Sequence, residues 1–107
     1  MSVNQPAFRA EGPSVFLNVT AASQNVQVHA GTCPNIRFYN AGTNVVYLNV
    51  GKDNTVTAAI ATAGSPANGM PLAPGEVEVI RAPGGWIALI AAAAGPTPVF
   101  MTPGYGL

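Results

Sequence analysis

The chain has 107 residues, no net formal charge, and only eight charged side chains, four basic and four acidic. An ordinary soluble domain is roughly 25% Asp, Glu, Lys and Arg, against 7% here, and so balanced a charge supplies no basic stripe for nucleic-acid phosphates or an anionic membrane. The longest apolar run, nine residues from Trp86, falls short of the about 20 that span a bilayer.

Residues 1–13 show no alternation and contain Pro6 and Pro13, so they read as an extended N-terminal arm. The prolines stiffen the arm and lower the entropy cost of ordering it. It carries Phe8 as an apolar anchor, and Arg9 and Glu11 as a charge pair that can set register on a neighbouring subunit. Its first residues lack the basic and apolar regions of a secretory signal. The single cysteine, Cys33, rules out an intrachain disulfide, and together these features point to folding in a reducing cytoplasm.

Residues 14–107 form a single domain. No stretch keeps the 3.6-residue period of an amphipathic helix. Instead, runs rich in Val, Ile, Phe and Tyr are each closed by Gly, Pro, Asn or Asp. The pattern predicts strands at 14–19, 25–30, 35–40, 45–50, 55–61, 76–81, 86–91 and 98–102. About eight short strands with turn signals between them give an all-β fold, an antiparallel β-sandwich or small jelly roll.

Turn chemistry supports this reading. Asn40-Ala41-Gly42-Thr43-Asn44 links two strong strands as a hairpin loop, with Gly42 suited to a left-handed position. Ala73-Pro74-Gly75-Glu76 has the Pro-Gly order of a type II turn, and Ala82-Pro83-Gly84-Gly85 repeats it. Residues 62–72, with Gly64, Pro66, Asn68-Gly69 and Pro71, read as an exposed loop.

Alternation assigns faces. In 76–81 the acidic Glu76 and Glu78 lie on one face and the valines on the other, as in a half-exposed strand. Strands 45–50 and 86–91 are apolar on both faces, so one face needs cover beyond the sandwich core. A subunit contact or an overlying loop would supply it, and the low charge favours the subunit contact. The composition as a whole points to a protein of an assembly.

Catalytic chemistry is sparse. His29 and Cys33 stand four residues apart without an acidic partner, and they read as a strand-end histidine and a small buried apolar residue. Two Cys or His residues are too few for structural zinc, and Gly51-Lys52-Asp53-Asn54 lacks the ligand alternation of a calcium loop. Glu76 and Glu78 stand side by side instead of across a cleft, and solvation or a cross-strand bond to Arg37 or Arg81 would satisfy them. No catalytic, metal-binding or cofactor-binding residues are therefore expected. Tyr39 falls on the face opposite Phe38. Tyr39, Tyr47, Trp86 and Tyr105, with Phe8, Arg9 and Glu11 of the arm, are the candidate interface residues.

Three segments resemble a known family: Ile36-Arg37-Phe38-Tyr39-Asn40-Ala41-Gly42-Thr43, Leu72-Ala73-Pro74-Gly75-Glu76-Val77-Glu78-Val79, and Met101-Thr102-Pro103-Gly104-Tyr105-Gly106-Leu107. In their order and turn chemistry they are similar to small structural proteins of tailed bacteriophages, over about residues 14–107. The resemblance implies a non-enzymatic virion protein, most simply a head decoration (cement) protein. Such a protein would be made in the host bacterial cytoplasm and carried on the capsid surface. Its partners would be the major capsid protein and further copies of itself, typically as a homotrimer. Other implied roles are a tail, neck or head-fibre base protein; the exposed aromatics also fit a carbohydrate- or host-surface-binding module.

Overall fold

The computed structural model of the chain describes residues 7–93 and 97–106. Nine strands form, with no helix among the described residues: β1 (Arg9–Ala10), β2 (Val15–Val19), β3 (Gln24–Gln27), β4 (Asn35–Asn40), β5 (Val46–Gly51), β6 (Met70–Leu72), β7 (Val77–Arg81), β8 (Trp86–Ala91) and β9 (Thr97–Tyr105). They build two antiparallel sheets. Sheet A runs β7-β4-β9, with β2 and β1 sharing the far side of β9, and sheet B runs β3-β8-β5-β6.

Within this order the pairings nest. β2 pairs β9, β3 pairs β8, β4 pairs β7 and β5 pairs β6. That is one long antiparallel hairpin folded over on itself, and the fold closes through two further pairings, β4 with β9 and β5 with β8. This is the jelly-roll solution to an all-β chain, as expected from the sequence.

The core lies between the sheets. Ile36, Phe38, Val99, Met101 and Val19 project from sheet A, and Val46, Leu48, Leu72, Ile87 and Leu89 from sheet B, each at most 3% exposed. Val15, Leu17, Val26, Val50 and Ile80 pack around them. These side chains are β-branched or otherwise apolar at alternate positions, so the pleat buries one set per strand without a helix to seal the other side.

Where the strands differ from the expected ones, the cause is local. Residues 55–61 carry the composition of a strand but pair with no strand; they belong to the 52–69 connection between β5 and β6. β6 is only three residues long and starts inside the expected 62–72 loop. Its Pro71 is tolerated because β6 is an edge strand. Residues 9–11 are not a free arm. Arg9 and Ala10 pair with Tyr105 and Gly104 of β9, and the Glu11 amide donates to the Pro103 carbonyl at 2.9 Å. The part of the arm at residues 1–6 lies outside the described residues.

Two turns also change character. Residues 40–44 carry the chain from sheet A to sheet B, so they form a crossover and not a hairpin. Gly42 is not left-handed; its role is space, because a Cβ there would stand 2.6 Å from Thr97 Cγ2. Gly75 does adopt the left-handed conformation (φ +79°), and the Glu76 amide donates to the Ala73 carbonyl at 3.0 Å, closing a type II turn. In the later Pro-Gly-Gly turn it is Gly85, not Gly84, that is left-handed (φ +78°). That turn therefore places glycine one position later, as a type I turn does.

Asn40 locks the crossover. It is fully buried, and its Nδ2 donates to the carbonyls of Asn44 and Leu72, both at 2.9 Å. Its Oδ1 accepts the Gly42 amide at 3.0 Å. The Asn40→Ala substitution leaves the buried Leu72 carbonyl and the half-buried Asn44 carbonyl and Gly42 amide without this partner, and a buried group so orphaned costs about 1–3 kcal/mol. Urea denaturation should show a loss of at least about 2 kcal/mol for this variant, whereas Asn18→Ala, on the exposed outer face, should stay within about 0.5 kcal/mol of the native protein. Equal stabilities would contradict this role.

Candidate functional site

The register of sheet A decides what faces solvent. Phe38 pairs with Met101 and with Glu78, so these three share the inner side. Pleating then sends the next residue on each strand outward. Tyr39 pairs with Phe100 on one flank and Val77 on the other, and Phe100 pairs in turn with Phe16. The result is one transverse row, Phe16–Phe100–Tyr39–Val77, crossing four strands on the outer face. Their exposures are 49%, 39%, 37% and 43%.

The rings touch one another. Phe16 and Phe100 lie with centroids 5.0 Å apart, and Tyr39 stacks on Phe100 at 6.4 Å with planes 21° apart. Such cross-strand aromatic pairs stabilise a sheet by fractions of a kcal/mol to about 1 kcal/mol. They also leave a contiguous apolar strip in water, a candidate interaction surface.

The neighbouring outward row is Ser14, Thr102, Arg37 and Val79. Here the Ser14 and Thr102 hydroxyls are hydrogen-bonded at 2.6 Å, and Arg37 stands between Thr102 and Val79. Arg81 follows on the same face. On the other flank lie Asn18 and Pro98. Glu78 points inward, so the expected bond from the β7 carboxylates to Arg37 or Arg81 does not form across this face. The valines of β7 turn outward and Glu78 inward, the reverse of the expected half-exposed arrangement. The inner partner of Ile36 is Ile80, and that pair sets the parity of β7.

Sheet B presents the opposite case. Its outward residues include Tyr47, Asn49, Trp86, Ala88, Ile90 and Asn25, and residues 52–69 pass along this side. Asn49 Nδ2 donates to the Thr57 carbonyl at 2.9 Å and Asn25 Nδ2 to the Asn54 carbonyl at 2.8 Å. The Ala58 amide donates to Ser23 Oγ at 3.0 Å. Ala88 is fully buried, and Ala58 nearly so. The second apolar face of β5 and β8 is thus partly covered within the chain, and Tyr47, Trp86 and Ile90 are half-buried.

The remaining candidates gather at the end of β9. Phe8 lies against Gly104, where a Cβ would meet its ring at 2.6 Å. Arg9 pairs with Glu11 at 2.9 Å and sits 5.5 Å above the Tyr105 ring. The Tyr105 hydroxyl donates to the Thr32 carbonyl at 3.0 Å. Phe8, Arg9, Glu11 and Tyr105 therefore fasten the entering chain to its own sheet. Of the seven expected interface residues, only Tyr39 belongs to the exposed row. Phe16, Val77 and Phe100 were missed; alternation with Leu17 and with Val99 and Met101 marks the two phenylalanines as outward, whereas the outward turn of Val77 is set by the pairing of β7 with β4.

His29 is buried and engaged at both ring nitrogens. Nε2 lies 2.9 Å from the Ala82 carbonyl and so carries the proton, while Nδ1 accepts the amides of Gly31 and Thr32. Cys33 is buried with Sγ near the Thr32 hydroxyl. An open groove of about 370 Å³ lies at the sandwich edge, between Leu48, Val50, Met70 and Ile80.

Two carboxyl groups depart from ordinary behaviour. The hydrogen bond that the protonated Glu78 carboxyl donates to Glu76 raises the pKa of Glu78, with desolvation and the like charge of Glu76 acting in the same direction. Hydrogen bonds from the Thr55 hydroxyl and amide lower the pKa of Asp53. The Glu78 contribution to stability is complete below the unfolded Glu pKa, about 4.3, and disappears as pH rises through the raised folded value. The Asp53 contribution has the opposite sign and fades as pH falls through its lowered value. Glu78→Gln should therefore melt higher than the native protein at pH 7, and the gain should vanish near pH 4. An unchanged or lower melting temperature at pH 7 would contradict the shared hydrogen bond.

Comparison of the chain with protein-family models, with curated proteins and with solved structures finds no match.

Proposed function

We propose that this chain is a non-enzymatic structural protein of a tailed-bacteriophage virion, a decoration (cement) protein that binds the assembled head shell and stabilises it. It is made in the host bacterial cytoplasm and resides on the capsid surface. Its partners are the major capsid protein and further copies of itself, most simply in a trimer. The phage class rests on the three motif-bearing segments at 36–43, 72–79 and 101–107.

The observation that supports an adhesive role is the uncovered aromatic row of sheet A. A chain with eight charges covers the apolar outer side of sheet B with its own connection, yet leaves four large apolar side chains in line on sheet A. A small β-sandwich with one covered and one bare apolar face is built to adhere. Several copies bound to one particle would turn modest single contacts into firm attachment.

The test uses heads of the parent phage produced without this chain. Added protein should co-sediment with the heads, saturate at a fixed number of copies, and raise the temperature at which the shells disrupt. Protein that stays in the supernatant while intact virions carry the chain in their tails would assign it to the tail or neck. A specific hit on a glycan array with no binding to heads would assign it to host-surface recognition.

A further inference from the structure

The outer face of sheet A has a chemistry that says what covers it. Besides the row Phe16–Phe100–Tyr39–Val77 it carries two cations, Arg37 and Arg81, both exposed. They stand at diagonal positions on adjacent strands, since Arg37 pairs with Val79 and Arg81 with Asn35. Side chains so placed are about 7–8 Å apart. Among the described residues no carboxylate shares the face. Glu78 points to the inner side of β7, Glu76 is tied to the Ala73 amide at 2.8 Å, and Glu11 is paired with Arg9. Asp53 lies on the connection over sheet B, bonded to Thr55. Among the described residues the only ion pair is Arg9–Glu11.

A second copy is a poor occupant for such a face. Packing it against itself would bring up to four guanidinium groups out of water with no carboxylate to receive them, and buried unpaired charge is strongly unfavourable. The face asks for a complementary surface, apolar at the centre and acidic beside it. Arginine beside aromatics is also the composition of interface hot spots.

We infer that the outer face of sheet A docks onto a protein surface that offers an apolar patch flanked by Asp or Glu carboxylates. On the reading of the chain as a head decoration protein, that surface belongs to the assembled shell. Phe100, the middle ring of three, is the anchor. Arg37 and Arg81 form charge-assisted bonds to the carboxylates and steer the approach. Contacts between copies of this chain then use other surfaces.

Three proteins test this: the native chain, Phe100→Ser, and the double variant Arg37→Glu with Arg81→Glu. Binding to shells lacking the chain is measured at low and high salt, and each protein's oligomeric state is measured by sedimentation velocity. All three substituted groups are exposed, so folding should persist; should Phe100→Ser fail to fold, the arginine variant decides alone. The native chain should bind faster at low salt. Phe100→Ser should bind on the order of tenfold more weakly or worse. The arginine variant should bind on the order of tenfold more weakly and lose the salt-dependent acceleration.

Native-like binding by both variants would overturn the docking face while leaving the decoration role intact. A native oligomer that Phe100→Ser dissociates, with shell binding retained, would make the face a contact between copies and also overturn the inference. Failure of the native chain itself to bind would remove the decoration role, and this inference with it.

Discussion

Strand β9 sits between β4 and β2, and its register there governs the rest of the molecule. It is the longest strand, nine residues, and it pairs along both edges. Met101 must enter the core beside Phe38, since both are fully buried. Once it does, pleating leaves Phe100 no choice but solvent, with Tyr39 and Phe16 as its flanking partners. A slip of one residue would exchange the two sets and put Thr102 and Phe100 where Met101 and Val99 now pack. The pairing that makes the core thus also makes the exposed row.

The two sheets manage their outer faces differently. Sheet B has an apolar outer side, and the 52–69 connection lies over it, held by hydrogen bonds donated by Asn25 and Asn49 and by the one that Ser23 accepts from the Ala58 amide. Intramolecular cover of this kind satisfies backbone groups of a long connection that would otherwise need water. Among the described residues sheet A has no equivalent. Its far edge is occupied by β2 and β1, and β1 is anchored by the Arg9–Glu11 pair and by the contact of Phe8 with Gly104. The entering chain therefore completes the edge of the sheet and leaves its face open. This asymmetry gives the proposed attachment to a shell a definite direction.

Much of this was legible in the chain. Strands β4 and β8 match their expected ranges to the residue, because each alternates or runs apolar between clear turn signals. The all-β class, a sandwich or small jelly roll, followed from strand number and spacing. Residues 55–61 misled because Thr, Val, Ala and Ile have strand composition whether they pair or only cover a sheet, and only partner strands distinguish the two. β6 was hidden by Pro71 and by its three-residue length. The outward turn of Val77 and Val79 could not be seen in β7 alone, since Glu78 and Val79 alternate equally well in either sense. Its pairing with β4 decides, and pairing is a long-range fact. Tyr39 was found because Phe38 is so plainly a core residue; the same argument applied to Met101 and Leu17 would have added Phe100 and Phe16.

The central claim is that the Phe16–Phe100–Tyr39–Val77 row is open in the free protein and covered on its partner. Hydroxyl-radical footprinting reads side-chain exposure directly, and Met70, 42% exposed on sheet B, serves as an internal reference. The account predicts ready oxidation of Phe16, Tyr39 and Phe100 in the free chain and strong protection of all three on the particle, with Met70 still reactive. Protection of Met70 with undiminished labelling of the three aromatics would contradict it.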